Sequence, residues 1–185
     1  MNKLIRKTID YKKMFILLTI IMLYSFNCIA NELSENEISQ NTDIVKWLKY
    51  DQAIAKSKIE NVPALIYFYS DNCGWCRRLE NETFTNQEIV KIMNEDFAIV
   101  KINSNSTEYV NVDNNKITER QLSMDIFQVR ANPTIWFLDS DEKRITALPG
   151  FVESPDFINV LKYIKGGYYK KYDWPEYLEN IAGKQ

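Results

Sequence analysis

Histidine is absent from all 185 residues. That absence removes Ser-His-Asp and Cys-His nucleophilic catalysis, imidazole general bases, and every metal site built on imidazole. Glycine and proline are scarce, five of each, so neither a collagen-like repeat nor low-complexity disorder fits. An excess of basic charge is missing too. The formal net charge is −2, which offers no electrostatic footprint for nucleic acid. What remains is 45% hydrophobic and 26% charged residues, the composition of one globular domain with material for a core, and a length that allows an appendage.

The charge is unevenly placed. Lys3, Arg6, Lys7, Lys12 and Lys13 stand against Asp10 alone, an apolar run follows from Met14 to Phe26, and Cys28-Ile29-Ala30 precedes Asn31. A charged start, a short apolar middle and a small-residue exit describe a cleavable secretory signal peptide over residues 1–30. The apolar stretch falls short of the ~20 residues a bilayer span needs; an uncleaved N-terminal membrane anchor is the alternative. Asn27 argues against lipid attachment at Cys28, because a lipoprotein signal has Gly, Ala or Ser there. Cleavage takes the formal charge from −2 to −6, so the mature chain is repelled by nucleic acid and anionic membranes. The expected location is periplasmic or otherwise exported.

Cleavage also removes Cys28 and leaves Cys73 and Cys76. A disulfide across so tiny a loop is a poor structural staple, whereas the spacing suits a redox dithiol. Zinc would need two further ligands, and with no other Cys and no His no metal site is expected.

Residues 31–42 are polar and acidic, a flexible lead-in. Ile44, Trp47, Leu48, Ile54 and Ala55 recur at helical spacing, which predicts a helix from an Asp43 cap to near Asn61. Pro63 stops that helix, and Val62–Tyr69 is a continuous apolar run, a strand buried on both faces. Ser70-Asp71-Asn72 forms a turn, and a helix starts near Cys73 and runs towards Met93 with a bend at Phe84–Asn86. Phe97–Ile102 is a second strand. Asn103–Lys116, rich in Asn and Ser, reads as a loop or insertion. Ile117–Val129 reads as a helix with Leu122, Ile126 and Phe127 in the core. Pro133–Leu138 and Arg144–Leu148 pair as a hairpin around Asp139-Ser140-Asp141, and Pro149-Gly150 ends it. A closing helix spans Pro155–Lys165. The aromatic tail, residues 167–185, carries Tyr168, Tyr169, Tyr172, Trp174 and Tyr177, includes a short helix after Trp174, and packs over the domain. The order α-β-α-β-α-β-β-α gives an α/β fold: a central mixed β-sheet flanked by helices, parallel early and antiparallel late.

Cys73-Gly74-Trp75-Cys76 sits where a buried strand hands over to a helix. Unpaired N–H groups and the helix dipole at that start favour thiolate over thiol at Cys73. Cys76, one turn on and tucked inwards, is placed to resolve a mixed disulfide. Trp75, between the cysteines, has little core role and reads as a substrate-contact platform. Arg77 and Arg78 read as ordinary surface charge, with thiolate stabilisation or docking to an acidic partner as the functional alternative. Trp47 and Trp136 lie in apolar patterns and read as core.

CGWCRRLENETF followed by NQEIVKIMNEDFAIVKI, with VRANPTIWFL and LPGF further on, resembles the thioredoxin superfamily over residues 43–166. Within it the chain is similar to exported thioredoxin-like proteins and to the C-terminal domain of transmembrane disulfide reductases. The resemblance implies a thioredoxin-like fold, a cis peptide bond before Pro133 opposite the dithiol, and backbone groups at Asn132 offered to a bound substrate strand. There are departures. Cytosolic thioredoxins have Pro where this chain has Trp75, Trp where it has Asn72, and a buried Asp where it has Tyr67. Tyr67 cannot serve as a carboxylate base. Glu80, on the same helix face as both cysteines and matched by a Glu in the reductase domain, is the candidate to take the Cys76 proton. A solvated helix charge is the other reading of it.

The expected function is an exported thiol:disulfide oxidoreductase, catalytic through Cys73, Cys76 and Glu80, with substrate contacts from Trp75, Asn132 and Pro133. Strong oxidants of this superfamily often hold His between the cysteines; Gly-Trp here points to a reductant or isomerase. No cofactor is implied beyond the dithiol. Partners would be disulfide-containing exported proteins and a membrane electron donor, with the protein a monomer. The alternative is a non-catalytic binding module on the same fold, its disulfide structural. Peroxide reduction at Cys73 lacks the Thr and Arg surroundings such a cysteine has.

Overall fold

The apolar run after Pro63 is the centre of the molecule. In the computed structural model, which describes residues 44–113 and 115–180, it forms β1 (Ala64–Tyr69), buried along its length except at Tyr69. β1 lies parallel to β2 (Ala98–Asn103) and antiparallel to β5 (Thr134–Leu138). β5 turns back into β6 (Arg144–Pro149), which gives the mixed order β2-β1-β5-β6. Side chains alternate along a strand, so β1 serves two cores. Leu65 and Tyr67 pack with Cys76, Leu79, Phe84, Met93, Phe97, Phe157 and Leu161. Ala64, Ile66 and Phe68 pack with Ala53, Val100, Ile102, Leu122 and Phe127. The expected signal peptide, the 31–42 lead-in and the Asp43 cap lie outside the described residues, as do residues 181–185. Among those described, no helix is long and apolar enough to cross a membrane.

The first helix starts later than its periodicity predicts. α1 spans Tyr50–Glu60, closed by Asn61 in a left-handed conformation. Trp47 and Leu48 are extended instead. The Leu48 N–H donates to the Ile99 carbonyl at 2.9 Å and Leu48 bridges Val100 in parallel. Asn94 fixes the entering chain, its Oδ1 accepting from the Lys46 N–H and its Nδ2 donating to the Ile44 carbonyl. Spacing that fits a helix face here serves a short segment docked on the sheet edge. Trp47 still reaches the core, where its ring packs 5.8 Å from Tyr67 and 5.7 Å from Phe84; Ile44 is exposed.

The long helix is segmented. α2 (Gly74–Arg78) passes into a π-helical turn, Leu79–Thr83. The chain breaks at the predicted bend and restarts as α3 (Gln87–Asp96), where Asn86 accepts the N–H groups of Glu88 and Ile89 as an N-cap.

The Asn-rich stretch expected as a loop is largely a hairpin. β3 (Tyr109–Val112) pairs with β4 (Asn115–Thr118). Val110, Val112 and Ile117 point into the Phe68 side of the core, while Tyr109 and Asn111 face out. Val112 pairs with Asn115, so the connection is two residues long. Asp113 there has φ 48°, a conformation Asp tolerates. Ile117 is therefore a strand residue. The helix begins at α4 (Glu119–Gln121), capped by Thr118, and continues as a π-helical turn, Leu122–Ile126. Leu122 and Phe127 are core residues as expected; Ile126 is exposed.

α5 (Ser154–Lys165) closes the domain. The tail folds back on it through a 3-10 turn, Tyr168–Lys170, and α6 (Trp174–Asn180). The Tyr163 hydroxyl donates to the Tyr172 carbonyl, and its ring packs 4.9 Å from buried Tyr177 and 5.2 Å from Trp174. Trp136 is half-buried, against Phe127 and beneath Arg144.

Candidate active site

β1 ends at Tyr69 and the chain turns at once. The Cys73 N–H donates to the Ser70 carbonyl, and Cys73 takes the extended conformation of an N-cap ahead of α2. Its Sγ accepts the Cys76 N–H at 3.0 Å, so the sulfur occupies the place a capping Ser or Asp oxygen would take, facing otherwise unpaired donors. Cys73 and Cys76 are joined by a disulfide, their Cα atoms 5.2 Å apart. Cys76 is 2% exposed and Cys73 is half-buried. Cys73 is the more exposed of the two.

The hairpin beyond faces this end. The Asn132–Pro133 bond is cis, and the Gly150 N–H donates to the Pro133 carbonyl at 2.8 Å. Gly150 has φ 86°, which suits glycine where the chain leaves β6. Trp75, Arg78, Asn132, Pro133, Gly150, Phe151 and Glu153 enclose an open groove of about 380 Å³. Trp75 is 57% exposed and its ring centroid lies 6.1 Å from that of Phe151. The Arg78 guanidinium sits 4.2 Å over Phe151 and 5.5 Å over Trp75. It also bonds Glu82 through both carboxylate oxygens at 3.0 Å. Arg78 is thus a neutralised part of the groove wall. Arg77 donates to the Asp71 carbonyl. Two bonds tie the floor of the groove to the dithiol segment: the Thr83 hydroxyl donates to the Val152 carbonyl and that of Ser154 to the Glu82 carbonyl.

Trp75, Asn132 and Pro133 therefore share one groove, with the cysteines at its edge through Trp75. Glu80 does not line it. Its Oε1 accepts the Tyr67 hydroxyl at 3.1 Å and pairs with Lys101 Nζ at 2.9 Å. The Lys101 ammonium also lies 4.1 Å over the Tyr69 ring. Burial first, then the negative charge of Glu80 and its bond, hold the Tyr67 phenol well above the ordinary tyrosine range. So Glu80 is a carboxylate anchored on both sides, beside a buried hydroxyl on the Cys76 face of the sheet. Tyr67 and Lys101 are the partners sequence reasoning missed. They are cross-strand neighbours in the parallel β1–β2 register, a pairing that no local sequence pattern announces. Arg78 and Phe151 were missed as groove walls because only folding brings LPGF to the dithiol. Among the described residues, no group of three or more Cys, Asp or Glu is placed to hold a metal ion.

The comparisons with known proteins bear on the family and the fold. A family model described as a thioredoxin-like domain matches residues 50–165. A thioredoxin-fold protein from Helicobacter pylori is 27% identical, with 67% of this chain and 82% of that one covered at a TM-score of 0.55. A thioredoxin from Thermus thermophilus aligns at 18% identity and TM-score 0.57, covering 69% and 93% of the two chains. A putative disulphide-isomerase from Bacteroides thetaiotaomicron aligns at 18% identity and TM-score 0.54, covering 72% and 98%. The latter two likenesses speak to the fold alone. No curated protein matches by sequence.

Proposed function

The chain belongs to the thioredoxin-like family, and from that premise we propose that it is an exported thiol:disulfide oxidoreductase acting on protein disulfides as a reductant or isomerase. The observation that carries the reading is the asymmetry of the pair. Cys73 Sγ accepts a backbone N–H at the head of α2, while Cys76 is buried behind it.

In the reduced protein the Cys73 thiolate attacks one sulfur of a client disulfide. A Cys73–client bond forms, the client S–S bond breaks, and the other client sulfur leaves as thiolate. Cys76 then loses its proton, for which Glu80 is the acceptor, and its thiolate attacks the Cys73 sulfur. The Cys73–Cys76 bond forms, and the second client sulfur departs and is protonated. The client gains the two electrons the dithiol loses. Trp75, Asn132 and Pro133 contact the client. An electron-donor protein of the membrane would return the dithiol to its reduced state in the exported compartment.

Trapping tests the assignment. Cys76→Ala is expected to accumulate mixed disulfides with envelope proteins, and Cys73→Ala none. Equal trapping by both variants overturns the two roles. No trapping by either, with no insulin reduction by the unmodified protein in dithiothreitol, favours the non-catalytic binding module instead.

A further inference from the structure

Two buried hydroxyls have no part in the chemistry above. Ser104 follows β2 directly and is 6% exposed; Ser123, in the π-helical turn after α4, is 0% exposed. Ser123 Oγ donates to Ser104 Oγ at 2.8 Å, and Ser104 Oγ donates to Asn132 Oδ1 at 3.1 Å. The Ser104 N–H donates to the Tyr69 carbonyl at 2.8 Å, so the chain of hydroxyls is pinned where β1 hands over to the dithiol turn. Buried hydroxyls are costly unless bonded, and alanine would fill these places with no such demand. What the hydroxyls add is direction. A carboxamide has one acceptor oxygen and one donor nitrogen. With Oδ1 bonded to Ser104, Nδ2 makes no hydrogen bond among the described residues, and Asn132 lines the groove.

We propose that Ser104 and Ser123 are positioning residues that hold Asn132 Nδ2 as a fixed donor for a backbone carbonyl of the client polypeptide beside its cysteine. The proposal rests on the exchange function above and names what the groove selects. A protein disulfide brings peptide carbonyls to the groove, whereas a small disulfide without an acceptor group brings none. The hydroxyl pair thus favours polypeptide clients over small disulfides without touching either.

Steady-state reduction of insulin, with dithiothreitol as the electron source, is compared with reduction of cystamine, whose ammonium groups accept no hydrogen bond, by the prereduced protein. Ser104→Ala is expected to raise KM for insulin by about three- to tenfold, the range one lost hydrogen bond gives. kcat and the rate with the small disulfide hold. Ser123→Ala acts in the same direction and less. Asn132→Ala, which lacks the donor and adds no charge, raises the insulin KM as Ser104→Ala does, and the two combined add nothing further. An unchanged insulin KM, a parallel fall on both substrates, or additive effects in the double variant overturns the proposal. So does an unmodified protein that reduces only the small disulfide. Should it reduce neither, the exchange reading itself fails, and this proposal falls with it.

Discussion

The two faces of β1 are built from different materials. One carries Ala64, Ile66 and Phe68 against Ala53, Val100, Ile102, Leu122 and Phe127, with no polar side-chain atom at the strand itself. The other carries Leu65 and Tyr67 beside Cys76, and it admits a hydroxyl, a carboxylate and an ammonium in contact. A single six-residue strand therefore divides the work. Its even side supplies packing, worth about 1.5–3 kcal/mol for each large apolar side chain buried. Its odd side gives up part of that to place Glu80 one turn beyond the dithiol.

The largest expected effect lies on the even side. Phe68 is fully buried and packs 5.2 Å from Phe127. Phe68→Ala is expected to destabilise the domain by about 3–5 kcal/mol in urea unfolding, while the molecules that remain folded exchange disulfides at the unaltered rate. A specific rate that falls with stability would mean that both faces serve the chemistry, and the contrast would be lost.

The odd side should behave in the opposite way. Tyr67→Phe removes one oxygen and leaves Lys101 to hold Glu80, so the stability cost is about 1 kcal/mol. The change belongs in the resolving step, where a mixed disulfide at Cys73 should persist longer. The slowing stays below the ~10²-fold that follows loss of a general base, which Glu80→Gln should approach. Rapid-quench measurement of mixed-disulfide decay reads this directly. If Tyr67→Phe costs as much stability as Phe68→Ala and leaves decay untouched, Tyr67 is packing alone.

How far the sequence disclosed this division depends on what each residue answers to. β1, β2, β5 and the closing helix were legible because apolar runs and helical spacing report burial directly. The dithiol was legible because its two sulfurs are local in sequence. The start of α1 was misread because Trp47 and Leu48 obey helical spacing, and only their docking onto Ile99 and Val100 makes them extended. The β3–β4 hairpin was hidden because three inward residues, Val110, Val112 and Ile117, are diluted by Asn and Lys. The clamp on Glu80 is hidden in the sequence, since Tyr67 and Lys101 meet through parallel register. Ser104, Ser123 and Asn132 lie far apart in the chain and share no pattern, so nothing short of the fold joins them.

The smallest expected effect tests the same contrast through alkali. Tyr50 lies on the even side, where burial first and then the charges of Glu142 and Asp113 push its phenol up to about 12. Tyr67, on the odd side, is raised further, by burial and then by Glu80. The unfolded chain sheds such protons near pH ~10, whereas the folded protein keeps them. Both groups therefore contribute stability that is whole below that pH and is lost as pH climbs through the folded-state values, a window that reaches about 12 for Tyr50. Phenylalanine has no proton to lose. Urea unfolding from about pH 9 to about pH 12 should show a falling limb in the unmodified protein. Tyr67→Phe and Tyr50→Phe should flatten that limb alike up to about pH 11, and should part only as pH nears about 12, where Tyr50 loses its proton in the folded protein and Tyr67, held by its bonded carboxylate, does not. Limbs that stay alike even at about pH 12 would mean that burial alone sets both phenols, and that the Glu80 contact leaves no mark on the equilibrium.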